Sequence, residues 1–164
     1  MSFIKVLGIG SPFGDDQAGW EVAEALKRQL AACTAISAHV HIERIDHPGI
    51  RLVELLRTSD TVFLIDAVRS NSTLGTIHQF TNEDIVDSAP KFSTHNIGVL
   101  QALQIASALN ELPNHLLFYG IEINTITLDT ILSEEVKSAI ARLTIQLKNE
   151  IIEKLIHGHS LNEN

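Results

Sequence analysis

Short apolar runs that stop abruptly at glycine or aspartate alternate along this chain with segments whose apolar residues recur at helical spacing. Runs of the first kind read as strands buried on both faces, and segments of the second kind as helices laid across a sheet. The alternation predicts an α/β fold: a three-layer α/β/α arrangement around a mostly parallel, twisted sheet with right-handed crossovers.

Ile4 to Ile9 is the first such strand, stopped by Gly10. Ala18 to Leu30 follows as an amphipathic helix, with Glu21 and Glu24 near its start and Lys27 and Arg28 near its end, as the helix dipole prefers. His39 to Ile45 reads as a second strand, ended by the breakers Asp46, His47, Pro48 and Gly49. Ile50 to Leu56 reads as a short helix, and Thr61 to Ile65 as a fully apolar strand ending at Asp66. Gly75 to Phe80 is a short strand, Thr81 to Thr94 a polar loop broken by Pro90, Ile97 to Leu109 a helix and His115 to Ile123 a strand. Ser133 to His157 is a long helix with Ser133 as N-cap and Glu134 and Glu135 in its first turn. No repeat or linker interrupts this order, so one domain is expected over residues 1–157, with a flexible polar tail over 158–164.

Composition narrows the function. With 164 residues the chain is long enough for one substantial core, and a net charge of -8 argues against nucleic acid, whose phosphates call for clustered Lys and Arg. Cys33 is the only cysteine, which excludes an intramolecular disulfide and a cysteine-based zinc cluster. The first apolar run reaches two glycines, Pro12 and paired acids too soon for a signal peptide or a membrane span. A cytoplasmic, acidic enzyme with no membrane partner is the expectation.

In an open α/β sheet, ligands bind beyond the carboxyl ends of the strands, where the strand order reverses. Three segments supply polar groups there: the turn Gly10-Ser11-Pro12-Phe13-Gly14-Asp15-Asp16, the strand end at Asp66, and Ser93-Thr94-His95-Asn96 entering a helix. Two carboxylates and an imidazole suit a borderline divalent cation such as zinc, nickel, cobalt or iron. Each residue also has a plainer role open to it. Asp15 or Asp16 could cap the helix that begins near Ala18, Asp66 could serve a turn, and His95 could be structural. Asp16 and Asp66 favour the chemical role, Asp66 because a carboxylate at the edge of an apolar strand needs a partner. His39, His41, His78, His115, His157 and His159 read as surface or packing residues.

Gly8-Ile9-Gly10 hints at nucleotide binding, but Phe13 stands where a small residue is needed and the acidic pair would repel a pyrophosphate. No serine sits in a nucleophile elbow. Metal-assisted hydrolysis, with a cation polarising a carbonyl or activating water, needs no side-chain nucleophile.

The stretch Val6-Leu7-Gly8-Ile9-Gly10-Ser11-Pro12-Phe13-Gly14-Asp15-Asp16-Gln17-Ala18-Gly19 resembles the opening of the hydrogenase maturation endopeptidases. The resemblance continues through Phe63-Leu64-Ile65-Asp66-Ala67, Ser93-Thr94-His95, Phe118-Tyr119-Gly120-Ile121-Glu122 and Leu132-Ser133-Glu134-Glu135-Val136, which spans nearly the whole chain. It implies an enzyme that removes a C-terminal peptide from a nickel-iron hydrogenase large-subunit precursor after nickel loading. Asp16, Asp66 and His95 would then contact the nickel carried by that precursor, or another divalent cation. The chain departs from the family pattern at Ser11, where the family has Asn, at Asp46-His47-Pro48-Gly49, and at Ile123, where Pro is common. The competing expectation is a protein of the same fold with a divergent substrate, or a non-catalytic module that binds metal or precursor.

Overall fold

The computed structural model describes residues 3–87 and 98–160. Its centre is a five-stranded sheet of order β2-β1-β3-β5-β4, built from β1 (Ile4–Gly10), β2 (Val40–Asp46), β3 (Thr61–Val68), β4 (Ile77–Thr81) and β5 (His115–Glu122). Every pairing is parallel except that of the edge strand β4, which runs antiparallel to β5. The helices are α1 (Ala18–Leu30), α2 (Thr34–Ser37), α3 (Leu52–Leu56), α4 (Asn82–Asp87), α5 (Val99–Ala108) and α6 (Glu134–Ser160). No helix among the described residues is long and apolar enough to cross a membrane.

Side chains of a strand point alternately to its two faces, and here both faces are dry. Val6, Phe63, Ile65, Tyr119 and Ile121 pack against Val22 and Leu26 of α1 and Leu143 and Leu147 of α6. Leu7, Ile9, Val62, Leu64, Leu116 and Phe118 pack against Leu52 and Leu56 of α3, Ile85 of α4, and Leu100 and Leu103 of α5. This is the expected three-layer arrangement, and the largely apolar β1 and β3 are its two central parallel strands. Each fully buried Leu, Ile or Phe contributes about 1.5–3 kcal/mol, so these two cores can support a few costly polar groups at the sheet's end.

Close backbone approach sets α1 against β1. A Cβ on Gly19 would lie 2.1 Å from the Ile9 carbonyl oxygen, and one on Gly8 would lie 2.2 Å from the Gly19 carbonyl oxygen. Any side chain at either position would lift the helix and carry the preceding turn away from the strand end.

Several elements differ from their sequence-based expectations. Strand β3 does not stop at Asp66 but runs on to Val68, because Asp66 is itself a paired strand residue, opposite Gly120. Within the stretch expected to be loop, Asn82–Asp87 is helical. It is started by Asp84, whose Oδ2 accepts hydrogen bonds from the Thr81 N–H at 2.8 Å and the Thr81 hydroxyl at 3.1 Å. Asn82 then pins α4 to β5: its side-chain amide donates to the Pro113 carbonyl at 2.8 Å and its Oδ1 accepts from Leu116 N–H at 2.8 Å. The last helix extends to Ser160, beyond the expected end at His157.

Candidate active site

Strand β1 ends at Gly10, where a Cβ would lie 2.5 Å from the Asp16 carbonyl oxygen. The bare glycine lets the chain double back, and the Ser11 N–H donates to that same oxygen at 3.2 Å. A single 3-10 turn, Gly14–Gln17, then leads into α1. It sends its two neighbouring acids in different directions.

Asp15 reaches the start of α6, accepting from the Ser133 N–H at 2.7 Å and the Ser133 hydroxyl at 2.8 Å. The Ser133 hydroxyl oxygen in turn accepts from the Val136 N–H at 3.4 Å, the expected N-cap. Asp15 is therefore a structural clasp, although not the cap of α1, which has no side-chain cap bond. Asp16 points the other way and is only 2% exposed.

Asp66 is also 2% exposed and lies on the α3/α5 side of the sheet, the side taken by Leu64 and Val68 of the same strand. Its Oδ1 accepts from the Ala67 N–H at 2.9 Å. Burial pushes the Asp66 carboxyl well above the usual carboxylate range, His47 pulls it down, and Asp16 adds to the rise. The third member was not foreseen as a site residue. His47 directly follows β2, whose last residue Asp46 pairs with Gly10, so the end of β2 lies beside the turn that carries Asp16. Its Nε2 stands 2.9 Å from Asp16 Oδ2. That hydrogen bond raises the pKa of His47 above its ordinary value, burial opposes it, and the charges of Asp16, Asp66 and Asp46 reinforce it.

The chain passes from β1 outward to β2 and then back across β1 to β3, so the strand order reverses between β1 and β3. Ligands of open α/β sheets bind at such a reversal. A narrow crevice of about 10 Å³, room for about one water, lies here, lined by Ile9, His47, Pro48, Gly49, Leu52, Asp66 and Val99. Val99 opens α5, shortly after His95 in sequence. His95 itself lies outside the described residues. The structure thus brings Asp16 and Asp66 to one lip of the sheet, with His47 beside Asp16. Among the described residues no three His, Cys, Asp or Glu side chains are grouped to hold a metal ion. The oxygen donors of Asp16 and Asp66 with a nearby imidazole are nevertheless chemically suited to a borderline divalent cation.

The remaining titratable groups fall elsewhere. His78 Nε2 lies 3.0 Å from Oε1 of the buried Glu122, which also accepts from Ser70. His41 makes an exposed contact with Glu43 at 3.2 Å, as a surface histidine should. His115 and His157 line a separate cleft at the opposite, amino end of β3 and β5. Cys33 is exposed at the start of α2.

Comparison with known proteins decides the family. The family model described as hydrogenase maturation protease matches residues 21–150. This chain belongs to the hydrogenase maturation protease family. The matched span contains Asp66, His47 and His95 and begins after Asp16. The hydrogenase expression/formation protein HupD of Thiocapsa roseopersicina is 31% identical over 122 residues, which are 73% of this chain and 53% of that protein. The chain thus matches about half the length of this curated relative.

Among solved structures, the [NiFe] hydrogenase maturation protease HybD from Thermococcus kodakarensis is 26% identical with a TM-score of 0.63, covering 93% of this chain and 98% of its own. The hydrogenase maturating endopeptidase HybD from E. coli has the same fold, with a TM-score of 0.71 at 20% identity and 93% of both chains covered. Members of this family thus share the five-stranded mixed sheet and the helices that flank it.

Proposed function

We propose that this chain is a cytoplasmic endopeptidase that removes the C-terminal extension of a nickel-iron hydrogenase large-subunit precursor once nickel has been inserted. The observation that carries the reading is the convergence of two buried carboxylates, Asp16 from the turn that follows β1 and Asp66 from β3, on one lip of the sheet, in a chain of the hydrogenase maturation protease family. Two acids drawn out of water side by side, with the Asp66 carboxyl pushed upward by burial, are an arrangement that stability alone disfavours and a cation relieves.

Nickel here is cargo of the substrate. Asp16 and Asp66 supply oxygen ligands, and His95 supplies the imidazole ahead of α5, whose first residue Val99 lines the cleft. A cation so held would supply Lewis-acid polarisation of the scissile carbonyl or a water of lowered pKa. The chain's own residues orient the precursor, exclude bulk water through Ile9, Leu52 and Val99, and place the His47 imidazole against Asp16. The strand that carries Asp66 cannot shift without breaking its pairing to β5, so the carboxylate is presented on a rigid element.

The test is to incubate the protein with a nickel-loaded large-subunit precursor and follow the precursor's mass. Loss of a C-terminal peptide is expected with the native chain, and no loss with His95→Ala, which should remain folded because a ligand ahead of a helix adds little to the core. Cleavage by His95→Ala at the native rate would remove His95 from the ligand set. Binding of the precursor with no mass loss at all would make the chain a binding module.

A further inference from the structure

His47 has no place in the ligand set drawn from the family, yet it is the described imidazole that touches that set. We infer that His47 is the positioning residue of Asp16, holding the carboxylate in the orientation in which it meets a divalent cation. The inference rests on the reading of Asp16 as a ligand and adds to it a residue specific to the Asp46-His47-Pro48-Gly49 turn of this chain.

Geometry supports it first. Nε2 of His47 and Oδ2 of Asp16 are 2.9 Å apart, with side chains 19% and 3% exposed, so the contact is short and shielded from competing water. Carboxylates that ligate metals are themselves usually hydrogen-bonded, and such outer partners set the ligand's rotamer.

The imidazole is in turn held firmly. Trp20 of α1 donates its indole N–H to the Ile45 carbonyl at 2.8 Å, and the Arg44 guanidinium lies 5.0 Å from the Trp20 ring centroid, so the end of β2 is fastened to α1. After His47 the chain turns at once: Pro48 has φ -74, Gly49 has φ +55, and the Arg51 N–H closes on the Pro48 carbonyl at 3.1 Å. The left-handed backbone at Gly49 is open to glycine and strained for most other residues, so the turn that aims His47 is built into the sequence. Both ends of the Asp16–His47 contact therefore converge on α1: Asp16 in the turn that enters it, His47 on a strand end latched to it.

A stability role alone accounts less well for the arrangement. His47 also lines the crevice that Asp66 lines, so its ring stands in the site and not only in a pairing with Asp16.

The experiment measures nickel(II) affinity of the whole chain by competition with a chromogenic chelator, for the native protein and for Asp16→Asn, His47→Ala and His47→Gln. Thermal melting checks that each is folded. The expected result is loss of binding in Asp16→Asn, a 10–100-fold weakening in His47→Ala, as removal of an outer-shell partner produces, and recovery to within about threefold in His47→Gln, whose amide can still donate to the carboxylate. If His47→Ala does not fold, His47→Leu fills the same space without a donor and carries the same expectation.

Native affinity in His47→Ala or His47→Leu would overturn the inference. So would a loss in His47→Gln as large as in His47→Ala, since the ring would then itself be a ligand. Absence of native nickel binding at millimolar metal, or native affinity in Asp16→Asn, would sink the ligand reading beneath it. Those two outcomes are recognisable because they do not depend on position 47.

Discussion

Among the described residues, two contacts between a buried carboxylate and an imidazole are almost equal in length: Asp16 to His47 at 2.9 Å and Glu122 to His78 at 3.0 Å. Their surroundings differ. Glu122, at the end of β5, accepts from the Ser70 N–H at 2.8 Å, from the Ser70 hydroxyl and from His78, so one carboxylate is met by three donors. Asp16 shares its imidazole with a second buried acid, Asp66. The first arrangement satisfies its own charge and fastens the chain that follows β3. The second gathers two buried carboxylates, Asp16 and Asp66, at one place beside an imidazole. Residue types and distances alone do not separate a structural pin from a reactive centre. The number of buried acids brought together does.

The sharpest way to break this comparison is to neutralise each acid without changing its shape. Asp16→Asn and Asp66→Asn are expected to lower precursor cleavage by about 10²–10³-fold or more, the scale on which a group at a reacting centre acts. Glu122→Gln, which keeps acceptor capacity for Ser70, should stay within about tenfold of native in the same mass-spectrometric assay. Equal losses in all three would erase the distinction.

Truncation should reverse the ranking. Glu122→Ala removes the acceptor of the half-buried Ser70 N–H and of the His78 ring, at a cost of about 1–3 kcal/mol. At roughly 2–4 °C per kcal/mol for a chain of this size, calorimetry should show a Tm lower by several degrees. A melting curve like the native one would mean that water replaces those bonds.

Asp66→Asn should do the opposite and raise Tm by a few degrees at neutral pH. The folded pKa of Asp66 lies well above the ordinary value of 3.8, mainly through burial. Between those two values the native state binds more protons than the unfolded one, so stability falls as pH rises through the window, and above it the full cost is present. The asparagine escapes that cost, and its advantage should vanish as pH falls below about 3.8. A variant less stable than native at neutral pH would show that Asp66 makes stabilising bonds worth more than its burial.

The smallest effect concerns His47, whose folded pKa is raised above 6.5 by the Asp16 hydrogen bond. Its charged form stabilises the fold fully below pH 6.5, and that contribution disappears as pH climbs through the folded value. The stability gap between the native chain and His47→Gln should therefore narrow from pH 6 to pH 9 in chemical denaturation. A gap independent of pH would place the His47–Asp16 bond between a neutral ring and the carboxylate throughout.

Much of the scaffold was legible in the sequence because its signals are local. The helix from Ala18 to Leu30 has the observed bounds, since its apolar stripe and charge polarity both lie within it. Strand β1 and the long last helix likewise carry their own patterns. What escaped depends on distant neighbours. Helix α4 is anchored by Asn82 to residues 113 and 116, which nothing in its own polar sequence announces. Asp66 looked like a strand terminus because charge seldom sits inside an apolar strand, whereas here β5 pairs alongside it through Val68 and Glu122.

The candidate site divides in the same way. Asp16 and Asp66 were readable because one lies in the turn that follows a recognisable apolar strand and the other closes an apolar run. His47 was not, because it stood among turn-forming residues and its meaning comes from the adjacency of β2 to β1. The one available signal was positional: a titratable residue directly after a strand end, on the edge where the strand order predicts ligands.

The central claim is that Asp16 and Asp66 face one cation at the carboxyl lip of the sheet. Crystals grown with nickel and measured across its absorption edge test it directly. The account predicts an anomalous peak in the cleft beside Ile9, Leu52 and Val99, with carboxylate oxygens of Asp16 and Asp66 at about 2.0–2.2 Å. A peak confined to the opposite end of the sheet, near His115 and His157, with none between the two aspartates, would contradict it.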